Sequence, residues 1–316
     1  MSHDSVCFVT GATGFIGSHL VDRLLSEGLT VVALTSGETN RWRLPPSHEG
    51  LTVRTADLAN NAAMDSLFSE FAPGTVFHLA ASGVRADAAQ KDTAFTVNVA
   101  ATLNLARTAA RHNVNRFVYV GSGFELRPQA VPLNEQASLG SANYYGATKA
   151  AATVFLEYME RSEGLPLIVC RPFSVYGTRE DATRFVPFIV QKALRGEPME
   201  LTLGTQVRDY LFVSDLVDGL FRAKNAPVGS VFHFGAGPQG ACSVRMVVET
   251  VLRLTGFDPS LALWGKRTAP RPEPQYFVAD SAAAQMRLGW LAKVSLNDGL
   301  AQTIEYYRDL ATKSSD

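Results

Sequence analysis

Tyr145-Gly-Ala-Thr-Lys149 sets a phenol and an amine four residues apart in a stretch that reads as helix from 144 to 162, so both side chains leave one helix face. An ammonium beside a phenol favours phenolate and is expected to draw the tyrosine pKa, ordinarily about 10, toward working pH. A tyrosine tuned in this way is a general acid or base toward a carbonyl or a hydroxyl. Lys149 is also long enough to reach the ribose hydroxyls of a nicotinamide cofactor. Ser122, between Gly121 and Gly123, follows the apolar strand Arg116 to Val120, and its hydroxyl could hydrogen-bond the same reacting oxygen. Open α/β sheets bind ligands at the carboxyl ends of their strands. Taken singly, Ser122 reads equally well as a turn residue, and the Tyr and Lys as a solvated helix face.

A second motif supplies the context. Residues 8 to 17, Phe-Val-Thr-Gly-Ala-Thr-Gly-Phe-Ile-Gly, lie between a short strand (Val6, Phe8, Val9) and a helix whose Ile16, Leu20, Val21, Leu24 and Leu25 recur at helical spacing until Gly28. Gly11, Gly14 and Gly17 then divide the work of a dinucleotide-binding turn: a tight bend, close approach of backbone to pyrophosphate, and close packing of helix on strand. The helix start offers free N–H groups to phosphate, which makes Thr13, Phe15 and Ile16 cofactor-side candidates as well. The spacing is Gly-x-x-Gly-x-x-Gly, not the commoner Gly-x-Gly-x-x-Gly.

The elements that must position these residues follow at βαβ spacing. Apolar runs Val31 to Leu34, Leu51 to Arg54, Val76 to Ala80, Phe117 to Val120 and Leu167 to Cys170 alternate with helical patterns near 61 to 71, 93 to 112 and 144 to 162. Strands rich in Val, Leu and Phe on both faces, separated by helices, predict a parallel, doubly wound α/β sheet of Rossmann type. From about residue 173 the rhythm changes to loops, short strands and the Pro-rich turn Arg267 to Pro274, as in a smaller C-terminal substrate-binding lobe. Phe212 to Asp215 and Val231 to Phe234 are expected to return to the large sheet. The division is therefore read as 1–172 with 209–234 for the cofactor, and 173–208 with 235–316 for the substrate.

Composition narrows the partners. A total of 29 Lys and Arg against 30 Asp and Glu leaves a formal charge of -1, with no basic run, so neither nucleic acid nor an anionic membrane is expected as a partner. No apolar stretch approaches a membrane span, and Met-Ser-His-Asp lacks the features of a secretory signal, so the expected location is the cytoplasm. Cys7, Cys170 and Cys242 are far apart and odd in number, and read as buried reduced thiols; the histidines show no ligand spacing, His78 reads as a packed strand residue, and no metal is expected. The helices near 93 to 112 and 144 to 162 carry Ala, Leu and Val on more than one face, which predicts a homodimer through paired helices.

Gly11 to Gly17, Asp57, Leu79-Ala80-Ala81, Asn98, Ser122, Tyr145, Lys149 and Arg171-Pro172 together resemble the extended short-chain dehydrogenase/reductase family, the NAD-dependent epimerase/dehydratase group, over nearly the whole chain. The resemblance implies that Ser122, Tyr145 and Lys149 are catalytic, that Asp57 with Leu58 contacts adenine, and that Leu79 to Ala81 and Pro172 line the cofactor. It also implies that Asn98 organises the neighbourhood of the catalytic residues. Asp57 also reads as a helix cap and Asn98 as a polar residue satisfied within its helix. Gly204 to Tyr210 and Arg271-Pro-Glu273 are similar to segments that grip a nucleotide-sugar diphosphate, which makes Arg208 and Arg271 phosphate candidates, arginine being suited to bidentate phosphate contacts. Ser82, Gly123 and Ser174 complete the substrate-side candidates.

Three departures bear on the reaction. Dehydratases of the group carry Asp-Glu directly after the catalytic Ser or Thr, whereas Gly123 and Phe124 stand here and Glu125 is displaced by one position. The second strand ends in Thr35 rather than the acid that would hold an NAD ribose, and Ser36, Arg41 and Arg43 nearby suit a 2′-phosphate, so NADP(H) is favoured over NAD(H), with Glu38 as the counter-indication. Ser174 stands where many epimerases have Asn. The segment Gly121 to Glu125 is also similar to that of nucleotide 4-keto-6-deoxyhexose reductases. The leading expectation is therefore a 4-ketoreductase acting on a nucleotide sugar; the alternatives are a nucleotide-sugar epimerase with bound NAD and a non-enzymatic NADP(H) sensor.

Overall fold

The computed structural model describes residues 5–37, 41–83, 91–268 and 274–313. Arg271 and Glu38 lie outside them. Six strands come first in the chain: β1 (Val6–Thr10), β2 (Thr30–Thr35), β3 (Leu51–Thr55), β4 (Thr75–His78), β5 (Arg116–Val120) and β6 (Leu167–Pro172). The short strands β7 (Ser174–Tyr176), β8 (Met199–Leu201) and β9 (Val207–Phe212) follow, then β10 (Ser230–Phe234), β11 (Ala241–Ser243), β12 (Ala262–Trp264) and β13 (Tyr276–Phe277).

Seven strands form one sheet in the order β10-β6-β5-β4-β1-β2-β3, and every pairing in it is parallel. That is the doubly wound Rossmann arrangement, and the chain order reverses beside β1, where the glycine turn begins. Its strands read as continuous apolar runs because both faces are covered. Helix α1 (Phe15–Ser26) covers one face, where Leu20, Leu24, Val217 and Leu220 form a common core. On the other face lie α2 (Asn61–Phe71), α3 (Lys91–Phe95), α4 (Thr102–Arg111) and α5 (Tyr144–Glu163), where Phe68, Leu105, Ala109 and Leu156 pack on Phe8, Phe117 and Tyr119. The helix expected from 93 to 112 is not continuous: a π-helical turn over Thr96–Ala101 separates α3 from α4.

One expectation is corrected. Phe212 to Asp215 does not form a strand of the large sheet. Phe212 ends β9 in a second sheet, where β9 pairs with β7, β11 and β13, and Val213–Ala223 is helix α7. Val213, Leu216, Val217 and Leu220 fall at helical spacing and join the core of α1, a pattern that a short apolar window does not separate from a strand. Val231 to Phe234 does return, as β10 beside β6. Residues 209–212 thus belong to the second sheet, α7 packs with α1, and Ser230–Phe234 belongs to the first sheet.

The remaining helices are α6 (Phe185–Leu194), α8 (Gly237–Gly240), α9 (Val244–Thr255), α10 (Ala282–Leu288) and α11 (Leu296–Lys313), and Ile189, Val190, Val247, Val251, Leu300 and Ile304 fill a separate core. Cys7, Cys170 and Cys242 are buried and unpaired. Among the described residues, no helix is long and apolar enough to cross a membrane, and no group of three or more His, Cys, Asp or Glu is arranged to hold a metal ion.

Candidate active site

The glycine turn closes on itself through backbone alone. Gly11 has φ +66, and a Cβ there would lie 2.8 Å from Ala80 N; a Cβ on Gly17 would lie 2.1 Å from Gly11 O. The Leu79–Ala81 segment therefore runs directly against the turn, and Ala80 N–H donates to Thr10 Oγ1 at 3.1 Å. Gly14 caps α1 without a side-chain hydrogen bond, so the first N–H groups of a 12-residue helix face the turn's mouth. A concave wall lined by backbone, with room made by missing side chains and a helix start behind it, fits the pyrophosphate of a dinucleotide.

At the ends of β2 and β3 the adenosine-side candidates separate. Thr35 is buried and turns its hydroxyl toward Gly37 O, Arg54 O and Thr55 Oγ1, so its oxygen serves the local backbone. Ser36 is exposed, and so is Arg41, which reaches Thr55 Oγ1 at 3.4 Å. Arg43 turns the other way: it donates to Arg179 O at 2.8 Å and Thr13 O at 3.3 Å, bracing the glycine turn against the chain after β7. Of the two arginines expected near a 2′-phosphate, Arg41 is exposed at the end of β2, and Arg43 has Nε and Nη1 on the Arg179 and Thr13 carbonyls. Asp57 is exposed and forms an Asx turn with Ala59 N–H at 2.9 Å, while the cap of α2 is Asn60, which accepts from Ala63 N–H; Leu58 O accepts from Asn104.

The centre of the site is assembled where α5 meets the end of β5. Asn143 caps α5 by accepting the Gly146 N–H at 2.8 Å. A Cβ on Gly146 would lie 2.1 Å from Phe124 O, so the first turn of α5 rests on the turn after Ser122. That contact brings the Tyr145 and Lys149 stretch beside Ser122. Ser122 Oγ accepts the Phe124 N–H at 3.1 Å as the cap of a short 3-10 turn, which leaves the hydroxyl proton as its donor.

Lys149 is buried, lies 4.2 Å over the Tyr119 ring and donates to Val120 O at 2.8 Å. Burial pulls its pKa down to about 8, against the pull of the Glu125 carboxylate. Tyr145 differs from expectation: burial first, and then the negative charge of Glu125, raise the phenol well above its ordinary value, while Arg184 alone opposes them. Arg184, at the start of α6, had no local signal to single it out in the sequence.

Asn98, fully buried in the π-helical turn, accepts the Ser82 N–H at 2.8 Å and donates to Ser82 O and Thr148 Oγ1, both at 2.9 Å. It ties the loop after β4 to α5, and the bulged helix turns its amide inward. Ser82 is the partner whose backbone it fixes. His78 is packed as expected, between Thr10 Oγ1 at 2.7 Å and Thr102 Oγ1 at 2.8 Å, with burial lowering its pKa to about 3.

The substrate-side candidates are more scattered. Gly123 is buried, and a Cβ on it would lie 2.9 Å from the Phe173 and Phe277 rings, so it serves packing beneath an aromatic group that includes the stacked Phe124 and Phe277, 4.7 Å apart. Ser174 is half-buried on β7, and Pro172 ends β6. Arg208 is buried within β9 and donates to Val207 O at 2.9 Å. The residue overlooked by spacing is Glu125. It has no exposure; its Oε1 accepts the Ser122 N–H at 2.8 Å, and its Oε2 accepts from Thr153 at 2.9 Å and from Arg171 Nε at 2.8 Å.

The comparisons agree with this arrangement. Residues 7–271 match the NAD dependent epimerase/dehydratase family. The chain is 32% identical over 312 residues to a UDP-glucose 4-epimerase of Mycolicibacterium smegmatis, covering 95% of this chain and 98% of that protein. Its structure is similar to that of a UDP-glucose 4-epimerase of Thermotoga maritima solved with UDP-glucose, with TM-score 0.89 and 27% identity over 97% of this chain and 99% of that one. It is similar also to MoeE5 in complex with UDP-glucose and NAD, with TM-score 0.85 and 33% identity over 96% and 99%. With a parallel seven-stranded sheet, a backbone-lined glycine turn and a family match across most of its length, the chain belongs to the NAD-dependent epimerase/dehydratase family.

Proposed function

We propose that the protein is a nucleotide-sugar 4-epimerase that retains NAD through its reaction. The observation that carries this reading is the inward commitment of Glu125. The residue placed nearest to an elimination acid spends both oxygens on Ser122, Thr153 and Arg171 and has no exposure. Tyr145 and Ser122 are left as the candidates for proton handling, and they suffice for oxidation and reduction at one carbon. The names of the relatives, UDP-glucose 4-epimerases, support the same choice.

The glycine turn, Leu79 to Ala81, Asp57 and Lys149 would hold the cofactor. Bound there, NAD supplies a hydride acceptor and donor, and its positive ring supplies the charge that favours a Tyr145 phenolate. Tyr145 would take the proton of the sugar C4 hydroxyl and later return it to the same oxygen, inversion at C4 coming from return of the hydride to the other face of the carbon. Ser122 donates its hydroxyl proton to that same oxygen. Lys149, held by Val120 O, keeps two further N–H groups for ribose. Arg208 and Arg271 would receive the diphosphate, in a substrate lobe made mainly of the second sheet and the helices after β7.

A second reading, a 4-ketoreductase using NADPH, is favoured by Thr35 at the end of β2 and the exposed Arg41 beside it. Incubation with UDP-glucose separates the two. The epimerase reading predicts UDP-galactose with no net change at the nicotinamide absorbance band; consumption of NADPH by a 4-keto-6-deoxy nucleotide sugar, without C4 interconversion, selects the reductase. We also propose a homodimer. Val154, Phe155 and Tyr158 are about half exposed, at 50%, 51% and 52%, and share one face of α5 at helical spacing. A second copy is the occupant proposed for that face, and a monomer by sedimentation at micromolar concentration would remove it.

A further inference from the structure

We propose that Glu125 is a positioning residue for this reaction: its carboxylate seats Ser122 through the backbone and sets a negative charge against α5, the helix that carries Tyr145 and Lys149. The inference rests on the hydride-transfer reading of the site. Glu125 ends the 3-10 turn that Ser122 caps, and the two residues hold each other, Ser122 Oγ taking the Phe124 N–H while Glu125 Oε1 takes the Ser122 N–H at 2.8 Å. This reciprocal cap fixes the backbone of Ser122, whose hydroxyl must point at the same reacting oxygen as Tyr145.

The carboxylate is anchored from two other elements. Thr153 on α5 donates to Oε2 at 2.9 Å, one turn beyond Lys149 on the helix that carries Tyr145. Arg171 on β6 donates to Oε2 at 2.8 Å and approaches His233 Nε2 on β10 at 3.5 Å. Gly121 completes the seat, since a Cβ there would lie 2.2 Å from Glu125 Oε1, in the space the carboxylate fills. Glu125 thus joins β5, β6 and α5, the three elements that converge on Ser122, Tyr145 and Lys149.

The charged and titratable groups facing Glu125 are Arg171, Tyr119, Tyr145 and Lys149, with His233 behind Arg171. His233 is held neutral by burial, its pKa lowered to about 4, and Glu135, whose Oε1 accepts the His233 backbone N–H at 2.9 Å, adds a second carboxylate on the far side of Arg171. The Glu125 carboxylate raises the pKa of Tyr145 and of Lys149 alike. Neutralising it removes the charge that raises Tyr145, so the Tyr145 transition moves to lower pH.

The test uses the NAD-loaded protein and Glu125→Gln. An ultraviolet phenolate titration, with Tyr145→Phe as the blank, is expected to move to lower pH by about 1 unit. The acidic limb of the kcat profile should follow it, while KM for the nucleotide sugar stays within about 2-fold and plateau kcat falls at least about 5-fold as Ser122 loses its seat. Glu125→Gln with Arg171→Gln removes both charges together and avoids a lone buried cation, so it keeps the test open if the single variant does not fold. It is expected to keep the acidic limb at the lower pH of the single variant and plateau kcat below the wild-type value. The phenolate titration needs no substrate, so it judges Glu125 even where UDP-glucose is not turned over and the epimerase reading fails. An unmoved phenolate transition in Glu125→Gln, or wild-type plateau kcat in either variant, overturns the proposal.

Discussion

The carboxyl edge of the large sheet carries two regions built on different principles. Around β1 and β4 the cofactor wall is backbone: Gly11, Gly14 and Gly17 are defined by what they lack, and the contacts that matter run to Gly11 O and Ala80 N. Around β5 and β6 the centre is made of side chains that hold one another across the sequence, with Glu125 reaching Arg171 and Thr153, and Asn98 reaching Ser82 and Thr148. The first region binds by shape and exposed N–H groups, and its design is local. On the proposed reading the second orients a proton donor, and its design is distributed, because a reacting oxygen would have to meet Tyr145 and Ser122 together.

The largest effect expected from this contrast is at Tyr145. Tyr145→Phe removes the proton donor but keeps the ring, so turnover should fall by roughly 10²-fold or more while the cofactor dissociation constant is retained. Loss of cofactor binding in this variant would show that the two regions are not separable. A smaller effect divides the two arginines after β2. Arg41→Ala should weaken NADP(H) selectively, by about 1.5 to 3 kcal/mol if a charge-assisted phosphate contact is lost. Arg43→Ala should lower affinity for NADP(H) and NAD(H) alike, because Arg43 braces Thr13 O and Arg179 O. Calorimetric titration of both cofactors against both variants decides between a phosphate ligand and a brace.

Within the glycine turn, Gly17→Ala forces a Cβ against Gly11 O, 2.1 Å away in the present backbone. Overpacking of this kind costs about 1 to 3 kcal/mol, and it should appear as weaker cofactor binding with kcat at saturating cofactor little changed. A drop in kcat instead would mean that the turn also positions the reacting groups.

What was legible in the sequence follows the same division. The glycine turn, the strands and the Tyr145-to-Lys149 spacing could be read because each signal sits within a few residues, at the period of a turn, a buried strand or a helix. Glu125 could not be read as a positioning residue, since its meaning depends on Arg171 and Thr153, which only the sheet and α5 bring to it. Asn98 was singled out by resemblance, but the π-helical turn that aims it inward carries no spacing signal. The contacts of Arg43 with Arg179 O and Thr13 O could not be read, because nearness in sequence to β2 does not tell which way a long side chain turns. Tyr145 was expected to be more acidic because Lys149 is its neighbour on the helix, whereas burial and Glu125 dominate.

The smallest effect expected concerns stability against pH. Burial lowers Lys149 from 10.5 to about 8 in the native state. Between those values the unfolded chain binds more protons than the native one, so this group makes stability rise with pH across the window, by at most about 1.4 kcal/mol per unit. Lys149→Met should lose that contribution, visible as a flatter difference curve in denaturant titrations from pH 8 to 10. An unchanged slope would show that Lys149 is solvated in the native protein.

The central claim is that hydride leaves and returns to one sugar carbon while Tyr145 handles only the proton. UDP-glucose deuterated at C4, incubated with the NAD-loaded protein in ordinary water, tests it most directly by mass spectrometry of the C4 epimer. Retention of deuterium at C4, with cofactor absorbance constant, is the predicted result. Replacement of the label by solvent hydrogen, or its appearance in released cofactor, would contradict the account.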